Sequence, residues 1–341
     1  MKKSIIIVLL FIGLILVSCD EKSPTEVPLD QVIREIRTIN IQDNTNALLS
    51  REVGYVNNLG FTDNSTVFFT TVYSYGKPAS GYTFAENIIR QPIDSPTKSI
   101  IFNAPSYINS LINRNALHFT FASGGDIYKV TTDGSSSFNL TNSTEYESAG
   151  VLNEYSNELF VGTKFSENNQ LYKINLTTNE KFYLIENSIN NIYPLFLCQD
   201  NTRLIYLESN NVVSPARGYL KTLEINNPQN QHTLVEVSTT SMLDISKSNN
   251  DILVFPSDGK IFMVDIQNNE IKVIALGNSA DISTDGLRII YSDGRNNLWL
   301  YSIVDENIQQ LYYEEVNNIY FPRFSPDGQK AVFITSAAPL Y

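Results

Sequence analysis

Ile319–Thr335 reads IYFPRFSPDGQKAVFIT. An apolar run ends at Phe324, Ser325-Pro326-Asp327-Gly328 follows, and a second apolar run begins at Ala331. Proline presets φ for a turn, aspartate can bond its own backbone, and glycine takes the positive φ that closes it. The stretch therefore predicts a strand, a tight turn and a strand. A single hairpin decides little, but this one recurs towards the N-terminus.

The copies are Ile282-Ser-Thr-Asp-Gly before LRIIYSD, Ile245-Ser-Lys-Ser-Asn-Asn-Asp before ILVFPSD, and Leu197-Cys-Gln-Asp-Asn before TRLIYLES. Further back come Leu152-Asn-Glu-Tyr-Ser-Asn before ELFVGTK, Leu111-Ile-Asn-Arg-Asn before ALHFTFAS, and Phe61-Thr-Asp-Asn-Ser before TVFFTTV. Their spacing of roughly 37–50 residues is the scale of a propeller blade. Between them lies a second hairpin with period-2 alternation, the mark of a strand with one buried face. Examples are LYKINLTTNEKFYL (Leu171–Leu184), IFMVDIQNNEIKVI (Ile261–Ile274), LWLYSIVDENIQQL (Leu298–Leu311) and IYKVTTDGSSSFNL (Ile127–Leu140). Tyr219–Val235 and Ile88–Ile101 are longer versions.

The remaining copy of the second hairpin, IRTINIQDNTNALL (Ile36–Leu49), stands before the first copy of the first hairpin. The N-terminus thus supplies two outer strands and the C-terminus two inner strands of one blade. A ring closed in this way leaves no open seam. The expectation is an all-β, seven-bladed β-propeller. Six blades is the main alternative, because the Tyr82–Asn103 region is irregular. The aromatics at the second position of the third strand, Tyr128, Tyr172, Phe262 and Trp299, are read as packing between blades.

FPRFSPDGQKAVFIT and IYKVTTDGSSSFNLT resemble the repeat of TolB-type propellers, P-x-F-S-P-D-G followed by I-Y-x-x-x-x-D-G. The resemblance covers nearly the whole mature chain and is sharpest at Ser325–Gly328, Ser283–Gly286 and Ile127–Leu140. It implies fold more than function. TolB carries an α/β domain before its propeller and is not lipidated, whereas here the repeats begin close to the N-terminus. Propellers of the prolyl oligopeptidase class have a similar repeat, but no G-x-S-x-G nucleophile elbow occurs in this chain.

Residues 1–18 read as a targeting segment. Lys2 and Lys3 precede the apolar run Ile5–Val17, which is short for a membrane span. Leu16-Val17-Ser18-Cys19 resembles a bacterial lipobox, which implies that Cys19 becomes the lipidated N-terminus. Residues 19–30 form a polar, proline-containing tether, and 31–341 the propeller. The expected address is the cell envelope, facing the periplasm or the cell surface. Cys198 is the only other cysteine, so a lipidated Cys19 leaves no disulfide. Cys198 falls in the predicted inner strand Leu195–Cys198 and is read as a buried, inert thiol.

The net charge is −12, and losing Lys2 and Lys3 with residues 1–18 takes it to −14. That opposes nucleic acid and anionic headgroups as partners. Charged residues are only 18% of the chain, so Asn, Ser and Thr must supply most of the polar surface.

No catalytic, cofactor or metal set stands out. His118 and His232 lack the H-x-x-x-H or H-E-x-x-H spacing and read as structural. Propeller lyases that cleave acidic sugars hold a metal with clustered histidines, which two histidines cannot provide. Asp327, Asp285, Asp258 and Asp133 lack EF-hand spacing and read as turn formers. Glu314-Glu315 reads as a solvated loop. The functional expectation is a non-enzymatic, monomeric platform for an envelope protein or peptide. The alternative is a glycan-binding or glycan-cleaving propeller.

Cys19→Ser should abolish incorporation of a labelled fatty acid and release the protein from the membrane fraction. Unchanged labelling and retention would refute the lipidation.

Overall fold

The computed structural model describes residues 33–75, 83–106, 108, 113–114, 117–210, 217–238 and 244–337. Cys19, the targeting segment and the tether lie outside these. The described residues form seven four-stranded antiparallel sheets, and the first strands of several neighbouring sheets contact one another around a central channel. Blades 1 to 6 occupy residues 55–104, 113–139, 147–188, 191–238, 246–276 and 279–313 in order. Blade 7 joins Ile319–Phe324 and Lys330–Ala337 to Ile33–Asn40 and Asn46–Val53. The count is seven, not six, and both chain ends share one sheet. Closure is an unbroken antiparallel register from Ile33↔Ala337 to Asn40↔Lys330.

Two faces follow from the antiparallel order. One carries the turns joining first to second and third to fourth strands, here the turn face. The other carries the turns joining second to third strands and the links between blades, here the link face. The turns form where the chain supplies residues that tolerate positive φ. Asn179 and Asn269 have φ of 60° and 55°, and Gly134 and Gly328 have 77° and 66°. Asp327 accepts the Ser325 hydroxyl and the Gln329 N–H, and Asp285 accepts the Ser283 hydroxyl and the Leu287 N–H. Asp327, Asp285 and Asp133 all lie on the turn face. Asp258 follows the second strand of blade 5 and lies on the link face, 2.6 Å from Arg217. The four Asp-Gly turns therefore build hairpins and make no common ring.

The core is divided among the blade interfaces. Of the seven apolar clusters among the described residues, six are each built from two neighbouring blades, and the seventh joins blades 4 and 5 with Ala149 of blade 3. Strand alternation produces this: Val67 and Phe69 face blade 7, while Phe68 faces blade 2. The aromatic positions behave as expected. Tyr128 packs on Phe102 of blade 1, and Tyr172, Phe262 and Trp299 join the clusters shared with the blade before theirs. Gly162 is demanded by the closeness of blades 3 and 4, since a Cβ there would lie 2.2 Å from the Ile192 carbonyl oxygen. The inner strand of blade 4 ends at Leu197. Cys198 is the next residue, free and buried, and burial pushes its thiol up to about 11.

Among the described residues, two carboxyls have no exposed surface. Glu86 accepts the Ile108 N–H at 2.7 Å, and Glu147 accepts the Tyr172 hydroxyl at 2.8 Å. Burial raises Glu86 from 4.5 to about 7 and Glu147 to about 6, against the pull of these hydrogen bonds. Folded protein thus holds protons that the unfolded chain has released, and stability falls as pH rises from 4.5 through about 7. Glu86→Gln should flatten the loss between pH 5 and 7.5 by on the order of 2 kcal/mol in urea unfolding. An unchanged slope would show that Glu86 does not carry it.

Candidate functional site

A cavity of about 570 Å³ opens at the channel mouth on the turn face. Four consecutive blades line it. Blade 2 supplies His118 and Thr120, and blade 3 supplies Val151 through Tyr155. Blade 4 gives Phe196, Leu197 and Asn201, and blade 5 gives Lys247.

Local sequence explains each placement. Asn153 ends the inner strand of blade 3 and accepts the N–H groups of Tyr155 and Ser156, which folds the turn and pushes Tyr155 into solvent. Tyr155 is 96% exposed at the rim. In blade 4 the register shifts between Pro194 and Phe196, a bulge that turns Phe196 and Leu197 to the cavity wall.

The polar groups of the mouth are already engaged with one another. The Glu154 carboxylate lies 2.8 Å from His118 Nδ1 and 3.3 Å from Lys129 Nζ, linking the blade 3 turn to blade 2. Lys247 Nζ lies 2.9 Å from Asp251, whose carboxylate also accepts the Gln199 N–H and so joins blades 4 and 5. The cavity therefore offers an apolar wall (Val151, Leu152, Phe196, Leu197) beneath a rim of fixed polar groups. That combination suits side chains of a ligand held in one orientation.

The other side of the channel is stapled by charge. Arg323 of blade 7 donates to the Ala280 carbonyl of blade 6 at 3.1 Å and places Nη2 2.6 Å from Asp244, just before blade 5. The Phe324 N–H donates to Asp281 at 2.7 Å and the Phe321 N–H to Ser279 Oγ at 2.9 Å. Against the cost of its own burial, Asp244 and Asp281 hold the Arg323 guanidinium above its ordinary value.

The structure separates the two histidines. His118 is in the cavity, whereas His232 lies on the fourth strand of blade 4, its Nε2 3.0 Å from Asn269 Oδ1. Glu314 accepts the Tyr312 hydroxyl at 2.7 Å and takes no part in the mouth. No group of three or more His, Cys, Asp or Glu that could hold a metal ion occurs among the described residues. Among those residues no helix is long and apolar enough to cross a membrane. Sequence reading passed over Glu154, Tyr155 and Lys247. Tyr155 carried a signal, an aromatic ring in a turn where the other copies place Asp, Asn, Ser or Arg.

No protein-family model and no curated protein matches the chain. Solved structures do match its fold. The oligogalacturonate lyase from Vibrio parahaemolyticus aligns with a TM-score of 0.55 at 11% identity, over 89% of this chain and 97% of its own. An oligogalacturonate lyase in complex with manganese aligns at 0.53 and 10% identity, over 82% and 88%. TolB from Acinetobacter baumannii aligns at 0.43 and 11% identity, over 80% of each chain. At such identities the likeness is one of architecture.

Removing Arg323 should leave Asp244 buried without its cation. Arg323→Met is expected to cost about 3–5 kcal/mol in chemical denaturation, and adding Asp244→Leu should recover most of it. A double variant no more stable than the single one would refute the staple.

Proposed function

We propose that this propeller is a binding platform for a protein or peptide in the cell envelope, held at a membrane by lipid on Cys19. The observation that carries the reading is the cavity on the turn face. Its 570 Å³ is enough for a few ligand side chains. Its apolar wall comes from inner strands that the blade interfaces hold rigid, and Tyr155 stands exposed at its edge. Exposed tyrosine beside an apolar pocket is the composition of an interface anchor. The ion pairs of Glu154 and Lys247 leave the rim pre-organised, which lowers the ordering cost of association.

A second reading is a glycan-binding or glycan-cleaving surface. It is favoured by the Tyr155 ring, a stacking platform for sugar, next to an imidazole oriented by a carboxylate in the same cavity. Two oligogalacturonate lyases are among the solved structures whose fold this chain resembles. A glycan array followed by a turnover assay separates the readings, since product release demands an enzyme.

Affinity capture from detergent-solubilised envelopes should recover a specific partner with the mature chain. Tyr155→Ala and Phe196→Ala should each reduce that recovery by roughly 10-fold or more, as loss of an interface anchor does. Equal recovery with the variants, or no specific partner, would overturn the proposal.

A further inference from the structure

On the link face, away from the cavity, Lys164 follows the second strand of blade 3 and is 6% exposed. Seven other lysines (98, 129, 173, 181, 221, 247 and 272) each have a carboxylate oxygen within 3.3 Å. Lys164 has no such partner among the described residues. Its Nζ lies instead over three rings, 5.0 Å from the centroid of Phe165, 5.2 Å from Tyr146 and 5.9 Å from Tyr193. Aromatic faces stabilise an ammonium, but they do not replace the hydration that it has lost. Burial lowers its pKa to about 8.

Glu167, three residues on, makes no ion pair with Lys164, and Glu158 pairs with Lys173 at 2.7 Å. Glu145 pairs with Lys181 at 3.0 Å, and Glu147 holds the Tyr172 hydroxyl.

The aromatic surround is half open. Phe165 is 70% exposed and Tyr146 44%, and their rings meet edge to face with centroids 5.2 Å apart. Phe165 also has a φ of 64°, a costly conformation for a bulky residue. Two backbone hydrogen bonds keep the arrangement in place: Phe165 N–H to Asn191 Oδ1 at 2.9 Å, and Lys164 N–H to the Tyr146 carbonyl at 3.0 Å. A buried cation lacking an anion thus sits beneath an exposed aromatic pair that is held in a strained position.

We infer that Lys164, Tyr146, Phe165 and Tyr193 form a receptor for an apolar monocarboxylate, its carboxylate on Lys164 Nζ and its flat or apolar body against Phe165 and Tyr146. The chemistry selects this class. A lone ammonium is a point charge, and the rings around it supply no N–H donors. A phosphate, with more charge and more acceptor atoms, would be left under-bonded in such a place. One carboxylate neutralises the site, whereas a dianion would leave a net charge there. The site shares no residue with the turn-face cavity, so it stands or falls independently of the proposed platform.

The test uses the mature chain with 3-phenylpropionate as probe, 3-phenylpropanamide as its neutral twin and inorganic phosphate as competitor, read by calorimetry and ligand-observed NMR. The acid should bind at least about 10-fold more tightly than the amide, the scale of one charge-assisted contact. Lys164→Met should erase that preference, and Phe165→Ala should weaken both ligands. Phosphate should not displace the acid. The acid–amide comparison is made on the unmodified protein and does not depend on how the variants fold. Equal binding of acid and amide, retention of the preference in Lys164→Met, or displacement by phosphate would overturn the inference.

Discussion

Every sheet in this protein has two apolar faces, and only a neighbouring sheet can cover them. Val67 and Phe69 need blade 7, and Phe68 needs blade 2. The same holds around the ring, so no blade has a core of its own and a row of blades would end in two bare faces. The pairing of Ile33–Asn40 with Lys330–Ala337 removes both ends at once. The cluster joining Ile36, Val332 and Ile334 to blade 1 then completes the circuit. The rigidity of the channel mouth is inherited from that circuit, because its walls are the inner strands of the same sheets.

With few charges to place, the chain uses them as links between blades. Glu154 ties blade 3 to blade 2, Asp251 ties blade 5 to blade 4, and Arg323 reaches from blade 7 past blade 6 to Asp244. Low charge content and extensive pairing are two sides of one design. It makes the single buried ammonium without a described carboxylate partner, Lys164, a chemical exception.

The architecture was legible because two local rules repeat. Period-2 alternation marks the strands, and Asn, Asp and Gly mark the turns. Even the shared blade could be read, since Ile36–Leu49 matches the outer hairpins position by position. The cavity was not legible for a geometric reason. His118 and Glu154 are 36 positions apart, and they meet only because a turn in one blade reaches the first residue of a strand in another. Periodicity says which face of a sheet a residue occupies, and is silent about which turn tips converge at the ring's centre. Lys164 was hidden differently. A lysine just after a strand reads as solvent-facing, and its burial follows from Tyr146, just before the first strand of its own blade, and Tyr193 of the next blade.

The closing strand also fixes a direction. The chain enters the ring at Ile33, opposite Ala337 where the final strand ends, and so arrives on the link face. The 13 positions from 20 to 32 can reach at most about 45 Å if fully extended, comparable to the thickness of a bilayer with its headgroups. A chain that enters there joins the disc opposite the mouth lined by His118 and Tyr155 and on the face that carries Lys164. One pairing between the two ends of the chain thus decides from which side of the disc the N-terminal segment is reached.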